Sequence, residues 1–155
     1  MNRVLLFVAF VISSNVLPAN AQNFGSWKVG ITTSGEFIYA GTTNDSGNVF
    51  GQYCSPSDQT CYWLLGLNLT CKIGDSYPLL VNADSGALHL SVYCFSQLND
   101  NMFAYAMTDF DKASLIIRGN PRVGFAFPLQ GDQFKVIRFD LSGANAAVTE
   151  NRVNE

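Results

Sequence analysis

The stretch from Cys61 to Cys71, CYWLLGLNLTC, constrains this chain more than any other. Its odd positions are Cys61, Trp63, Leu65, Leu67, Leu69 and Cys71, and its even positions are Tyr62, Leu64, Gly66, Asn68 and Thr70. Side chains on a strand alternate between its two faces. One face is therefore wholly apolar and carries both cysteines, and the other is mixed, which is the pattern of a strand laid across a core. A helix would scatter the apolar residues all round, and Gly66 and Thr70 favour a helix poorly.

Four cysteines, Cys54, Cys61, Cys71 and Cys94, allow three pairings. An unbroken strand would hold Cys61 and Cys71 roughly 33 Å apart, far beyond the Cα separation of about 7 Å that a disulfide tolerates. Of the two pairings left, the spacing favours Cys54–Cys61 with Cys71–Cys94. Ser55 to Thr60 (SPSDQT) is turn chemistry, and folding it as a hairpin sets Cys54 opposite Cys61. Downstream, Leu88, Leu90, Val92 and Cys94 share one strand face, so Cys94 points at the core as Cys71 does. A metal site is disfavoured: there is no Cys-x-x-Cys, and His89 is the only histidine. Neither metal nor cofactor is expected.

Met1 to Ala21 reads as a signal peptide. Arg3 gives a positive start, Val4 to Ile12 (VLLFVAFVI) an apolar run, and Ala19-Asn20-Ala21 a cleavage site. The run is too short to span a bilayer, which takes about 20 residues. Removing 21 residues from 155 leaves 134, from Gln22 to Glu155, enough for one domain with its own core. Without Arg3 the chain carries 8 basic and 12 acidic residues, a net charge of −4, which argues against nucleic acid as partner. An even cysteine count behind a signal peptide implies an oxidising compartment, periplasmic or extracellular.

In chain order, Phe24 to Thr32 and Glu36 to Thr42 flank a turn at Thr33-Ser34-Gly35, and Val49 to Cys54 precedes the central strand. Tyr77 to Val81 and Ala87 to Phe95 form a hairpin about Asn82 to Gly86 (NADSG). Thr108 to Asp111 is a helix-start pattern, so Asp109 to Arg118 is predicted as a short helix with Gly119 after its end. Arg122 to Phe127 and Phe134 to Leu141 are paired strands. Ser142 opens a last short helix through Ala147, and the polar tail after Glu150 is expected to fray. About eight short strands with regular turns indicate an all-β antiparallel sandwich or barrel.

Three stretches resemble the invasion-associated locus B family of exported bacterial proteins. Phe24 to Val29 (FGSWKV) is similar to its opening Phe-Gly-x-Trp-x-Val strand. Ser114 to Phe127 (SLIIRGNPRVGFAF) is similar to its helix, glycine and strand. Phe139 to Val148 (FDLSGANAAV) is similar to its closing Ser-Leu-x-Gly segment. The chain departs from the family where Gly30 and Ile31 stand in place of a cysteine after the tryptophan, and where Cys94 alone stands for a cysteine pair. The resemblance implies an immunoglobulin-like antiparallel β-sandwich with one or two short helices near the C-terminus. It also implies export from a Gram-negative cell and no known catalytic residues.

No motif carries catalysis. His89 sits between two leucines on an outward strand face with no nucleophile elbow nearby, and bridged cysteines are not nucleophiles. Asp109 and Asp111 read more simply as partners of a helix dipole than as paired carboxylates. Basic residues concentrate late in the chain, with Lys112, Arg118, Arg122, Lys135 and Arg138 against one acid, Asp132. These five form the candidate partner-binding set, for an acidic protein, glycan or headgroup. Tyr39, Tyr53 and Tyr62 are candidates for a second contact surface, for glycan or protein. The expected function is that of a non-enzymatic exported protein acting by surface contact with another macromolecule. The alternatives are a periplasmic inhibitor of a hydrolase, with Ser55 to Thr60 as its rigid loop, and a small secreted hydrolase.

Overall fold

A computed structural model describes residues 21–153. The predicted leader therefore lies outside the described residues except for Ala21. Ten strands run in chain order: β1 (Gln22–Phe24), β2 (Trp27–Ile31), β3 (Ile38–Thr43), β4 (Val49–Ser55), β5 (Thr60–Leu67), β6 (Ser76–Ala83), β7 (Gly86–Asn99), β8 (Met102–Met107), β9 (Arg122–Pro128) and β10 (Phe134–Asp140). Helix α1 (Phe110–Ile117) follows β8, and α2 (Ala144–Val153) follows β10. All neighbouring strands are antiparallel, in the order β1-β2-β3-β4-β5-β8-β7-β6-β9-β10.

The ten strands form one hydrogen-bonded sheet that doubles back on itself, so that its two halves face each other as the layers of a sandwich. Phe50 on β4 meets Phe125 on β9 at 5.0 Å and Phe139 on β10 at 5.5 Å between ring centroids. Trp27, Trp63, Tyr105, Phe50, Phe125 and Leu65 are the largest side chains sealed between the layers. The two ends of the sheet also meet. Trp27 Nε1 on β2 donates to the Asp140 carbonyl at 3.0 Å, and Asn44 Nδ2 donates to the Arg138 carbonyl at 3.1 Å. Exposed backbone acceptors on edge strand β10 are thereby occupied, which blunts it as a template for another chain.

Both helices close the core. Asp109 caps α1 by accepting from the Lys112 N–H at 3.0 Å, and Gly119, at φ +83°, turns the chain beyond it. Ser114 on α1 accepts the Trp63 indole N–H at 2.9 Å. Helix α2 packs on β1, β2 and β3, with Ala144 and Ala147 in the core. The disulfides are Cys54–Cys61 and Cys71–Cys94, with Cα separations of 4.0 Å and 5.9 Å.

Four elements differ from the sequence expectation. The single strand expected over Phe24 to Thr32 is broken by a two-residue turn at Gly25 (φ +57°) and Ser26, which makes a hairpin of β1 and β2. The central strand ends at Leu67, and Cys71 lies in the loop beyond it, still buried. Strand β8, where the sequence shows no clear alternation of polarity, is the partner that joins β5 to β7. Helix α2 continues past Glu150 to Val153, because Asn151 is drawn wholly into the core instead of fraying.

Candidate functional site

Register places aromatic rings on the outside of the sheet. Ala40, Gln52 and Trp63 are paired across β3, β4 and β5 and point inward, all three fully buried or nearly so. The adjoining row, Tyr39, Tyr53 and Tyr62, is paired across the same strands and must point outward. Tyr39 stacks on Tyr53 at 5.7 Å, and Phe37 meets Tyr62 at 6.5 Å. Phe95 on β7 extends the cluster, 5.1 Å from Tyr62 and 6.1 Å from Tyr93. All six rings are half-buried. Together they form a contiguous, half-buried aromatic layer on the outer face of the sheet, each ring with an apolar body and, for the tyrosines, a polar tip.

Small residues make this possible. On Gly30 a Cβ would stand 3.1 Å from the Tyr39 hydroxyl, so the bare backbone leaves room for that ring to lie over β2. Gly41 and Gly51 face each other across β3 and β4, and a Cβ on Gly51 would come within 2.7 Å of the Gly41 Cα. Packing of the rings also changes their chemistry. Burial, with Tyr39 adding, pushes the Tyr53 phenol up to about 12, and burial, with Tyr62 adding, raises Tyr93. These tyrosines stay neutral donors well above physiological pH.

The aromatic face runs into a groove of about 600 Å³ lined by Phe37, Phe95, Pro56, Ser55 and Ser57 among others. One wall of it is the hairpin tip from Ser55 to Thr60, closed at its base by the Cys54–Cys61 bridge. Within the tip the Ser55 and Ser57 hydroxyls are 3.0 Å apart, and Asp58 Oδ1 accepts from the Thr60 N–H at 3.1 Å. The Ser55 hydroxyl, then the Thr60 N–H, hold the Asp58 carboxyl below its ordinary range.

The five late basic residues do not gather in one patch. Lys112 is 3.2 Å from Asp109 on the same helix, and Arg122 is 3.4 Å from Asp84. Arg138 shares one groove with Arg122 and another with Lys135, whose Nζ donates to the Asn68 carbonyl at 2.8 Å. Arg118 lies apart, beside α2. Sequence proximity groups them; the fold spreads them over three elements, α1, β9 and β10. Phe37, Tyr93 and Phe95 were not named from sequence as members of a surface cluster. Their signal was the period-two alternation about Tyr39 and Tyr62, which needs the strand register to be read.

The other candidates also have plain roles. His89 is exposed on β7. Asp109 is the cap of α1, and its carboxyl is lowered first by the Lys112 N–H. The Asn44 side-chain oxygen accepts from the Ser46 and Asn48 N–H groups at 3.1 and 3.0 Å, an ordinary Asx turn. Among the described residues no group of three or more His, Cys, Asp or Glu side chains is placed to hold a metal ion, and no helix is long and apolar enough to cross a membrane.

Fold and site together define a disulfide-stapled, all-β antiparallel sandwich with an outward aromatic face. The crystal structure of invasion associated protein B from Bartonella henselae has this fold: it superposes with a TM-score of 0.61 over 88% of this chain and 98% of that chain, at 10% sequence identity. At that identity the likeness is one of fold. No protein-family model matches the chain, and no curated protein matches its sequence.

Proposed function

We propose that this is an exported, non-enzymatic protein that works by surface contact with another macromolecule, through the outward aromatic face of β3, β4, β5 and β7. The observation that carries this reading is the in-register row Tyr39, Tyr53 and Tyr62, joined by Phe37, Phe95 and Tyr93. Six half-buried rings on the solvent side of a sandwich give large, rigid contact area at low entropic cost, with phenol groups at the rim to orient a partner. Export is supported by the leader pattern and by two disulfides, which persist in oxidising compartments. The likeness in fold to an invasion-associated protein is in keeping with this class of function. The partner is a protein or a glycan.

The experiment compares wild type with Tyr39→Thr/Tyr62→Thr as immobilised baits for envelope extract and for a glycan array. Threonine keeps the strand preference while removing both rings. The reading expects a partner retained by wild type and lost by the variant, with the thermal midpoint changed by only a few degrees. Equal retention by both proteins rejects the face as the contact site.

A second reading, inhibition of a hydrolase, draws on the disulfide-closed tip Ser55 to Thr60, whose pre-organised conformation lowers the cost of binding. Titration against a panel of envelope hydrolases tests it: stoichiometric inhibition abolished by replacing Pro56 to Gln59 with glycines supports it, and the absence of inhibition across the panel removes it.

A further inference from the structure

Strand β10 ends the sheet and has β9 on one side only. The Leu129 N–H donates to the Gln133 carbonyl at 2.7 Å and the Leu141 N–H to the Pro121 carbonyl at 2.9 Å, so the odd-numbered residues of β10 exchange hydrogen bonds with β9. The even-numbered residues turn their N–H and C=O groups to the free edge. Asn44 and Trp27 occupy two of these acceptors, the Arg138 and Asp140 carbonyls. Their contacts stop short of the first half of the strand. Among the described residues nothing is bonded to the edge-facing backbone of Phe134 and Val136.

A groove of about 540 Å³ runs along this edge, lined by Lys135, Val136 and Arg138 from β10 and by Asn68 and the turn from Asn44 to Asn48. Phe134 and Val136, 62% and 48% exposed, share the outer face of the strand with Arg138. Lys135 lies on the opposite face, where its Nζ donates to the Asn68 carbonyl at 2.8 Å and keeps two further N–H groups. Among the described residues neither Lys135 nor Arg138 is in an ion pair. Asp45 supplies the one carboxylate of the lining against these two cations. The C-terminal end lies too far off to add another. Asn151 touches Cys54, roughly 20 Å along β4 from the turn, and the two residues after Val153 span only about 7 Å.

We propose that this edge takes an extended acidic peptide as an added antiparallel strand. An unpaired edge is a template for pairing, and in such docking the main chain supplies attraction while alternate side chains set the register. A residue opposite Val136 exchanges two hydrogen bonds with it. Cross-strand neighbours stand about 5 Å apart on the same face. The partner therefore sets apolar side chains beside Phe134 and Val136, and carboxylates beside Lys135 and Arg138.

The peptide ETVEV, acetylated and amidated, meets this register with its first valine opposite Val136 and its glutamates opposite Arg138 and Lys135. Titrated into the mature protein, it should shift the Phe134 and Val136 amide resonances and slow hydrogen exchange at Val136. The peptide KTVKV should bind roughly tenfold or more weakly, because two opposite-charge pairs become like-charge pairs. Lys135→Glu/Arg138→Glu should reverse that order. Val136→Pro removes an N–H that β9 does not use, at an edge position where proline is tolerated, so binding should be lost while the β9–β10 ladder persists. If that variant does not fold, ETVEV methylated on the nitrogen of its first valine removes the matching donor from the peptide and should bind roughly tenfold or more weakly. An unmoved Val136 resonance, equal binding of the two peptides by wild type, or undiminished binding of the methylated peptide overturns the proposal. A Val136 shift that follows protein concentration without peptide would give the edge to a second copy of the chain, and overturns it too.

Discussion

Gly25 and Gly143 bring together two stretches that lie more than a hundred residues apart in sequence. Ser26 N–H donates to the Ser142 carbonyl at 3.1 Å, and the Ser26 and Trp27 side chains reach the Asp140 carbonyl at 3.3 and 3.0 Å. A Cβ on Gly25 would stand 2.6 Å from the Ser142 oxygen, and one on Gly143 (φ +87°) would collide with the Phe24 carbonyl. Gly143→Ala should therefore cost at least about 2 kcal/mol, because it combines backbone strain with a clash that backbone atoms cannot relieve. Gly47→Ala, at φ +76° but in open space, should cost about 1 kcal/mol. Denaturant midpoints on the two variants check this, and equal costs would mean that the junction yields. FGSWKV and FDLSGANAAV are thus two halves of one junction. Sequence supplied both motifs, but not the contact between them, since nothing local in either encodes its distant partner.

Titration provides a second check at this scale. Burial raises Tyr53 and Tyr105 to about 12, with Tyr39 and Tyr77 respectively adding to it. Tyr105 is also fixed by donating to the Leu69 carbonyl at 2.7 Å. A phenol raised above its unfolded value near 10 stabilises the fold fully below pH 10, and this contribution is lost as pH rises through 12. Tyrosinate absorbance at pH 11 should therefore find Tyr53 and Tyr105 still largely unionised, with stability falling between pH 10 and 12. Ionisation of all six at pH 11 in the folded protein would contradict the packing of both rings.

Among the elements, α2 departs furthest from what its sequence suggests. Its polar end, ENRV, reads as a frayed tail, yet Asn151 is fully buried and its Nδ2 reaches the Gln52 side-chain oxygen at 3.4 Å. Gln52 Nε2 and Asn151 Oδ1 have no hydrogen-bond partner among the described residues. Asn151→Leu should cost about 1 to 3 kcal/mol by stranding the Gln52 amide, whereas Gln52→Leu/Asn151→Leu should recover most of that loss. A double-mutant cycle by denaturation checks it, and additive losses would show that the pair is not coupled. Strand β8 escaped the sequence reading for a different reason: MFAYAM places alanines at Ala104 and Ala106 on its outward face, both buried under neighbouring side chains. Its alternation of polarity is thus erased. Elements with clean alternation, such as Val123, Phe125 and Phe127 on β9, are legible, and so is α1 from the Thr108 to Asp111 start pattern, although the cap falls on Asp109 and not on Thr108.

At the scale of the whole molecule, the charge segregation seen along the chain disperses once strands and helices fold, while the cysteine spacing survives unchanged in the two bridges. These bridges do different work. Cys54 and Cys61 are a direct cross-strand pair already held by Tyr53–Tyr62 and Ser55–Thr60 on either side. Cys71 belongs to the loop after β5 and is tied to β7 through Cys94. Closing loops of 24 and 8 residues, from separations of 23 and 7, stabilises by about 3.4 and about 2.5 kcal/mol in the chain-entropy model. Cys71→Ser/Cys94→Ser should therefore be the more destabilising pair, since its loop is longer and the register of β4 and β5 persists without the other bridge. Thermal denaturation of both double variants decides the order, and a larger loss from Cys54→Ser/Cys61→Ser would show that the short hairpin depends on its bridge for register. Binding should rank them the other way. Opening Cys54–Cys61 frees the tip that walls the groove beside Phe37 and Phe95, so partner retention should fall in that variant while most of its stability remains; retention as strong as wild type would place the contact away from the tip.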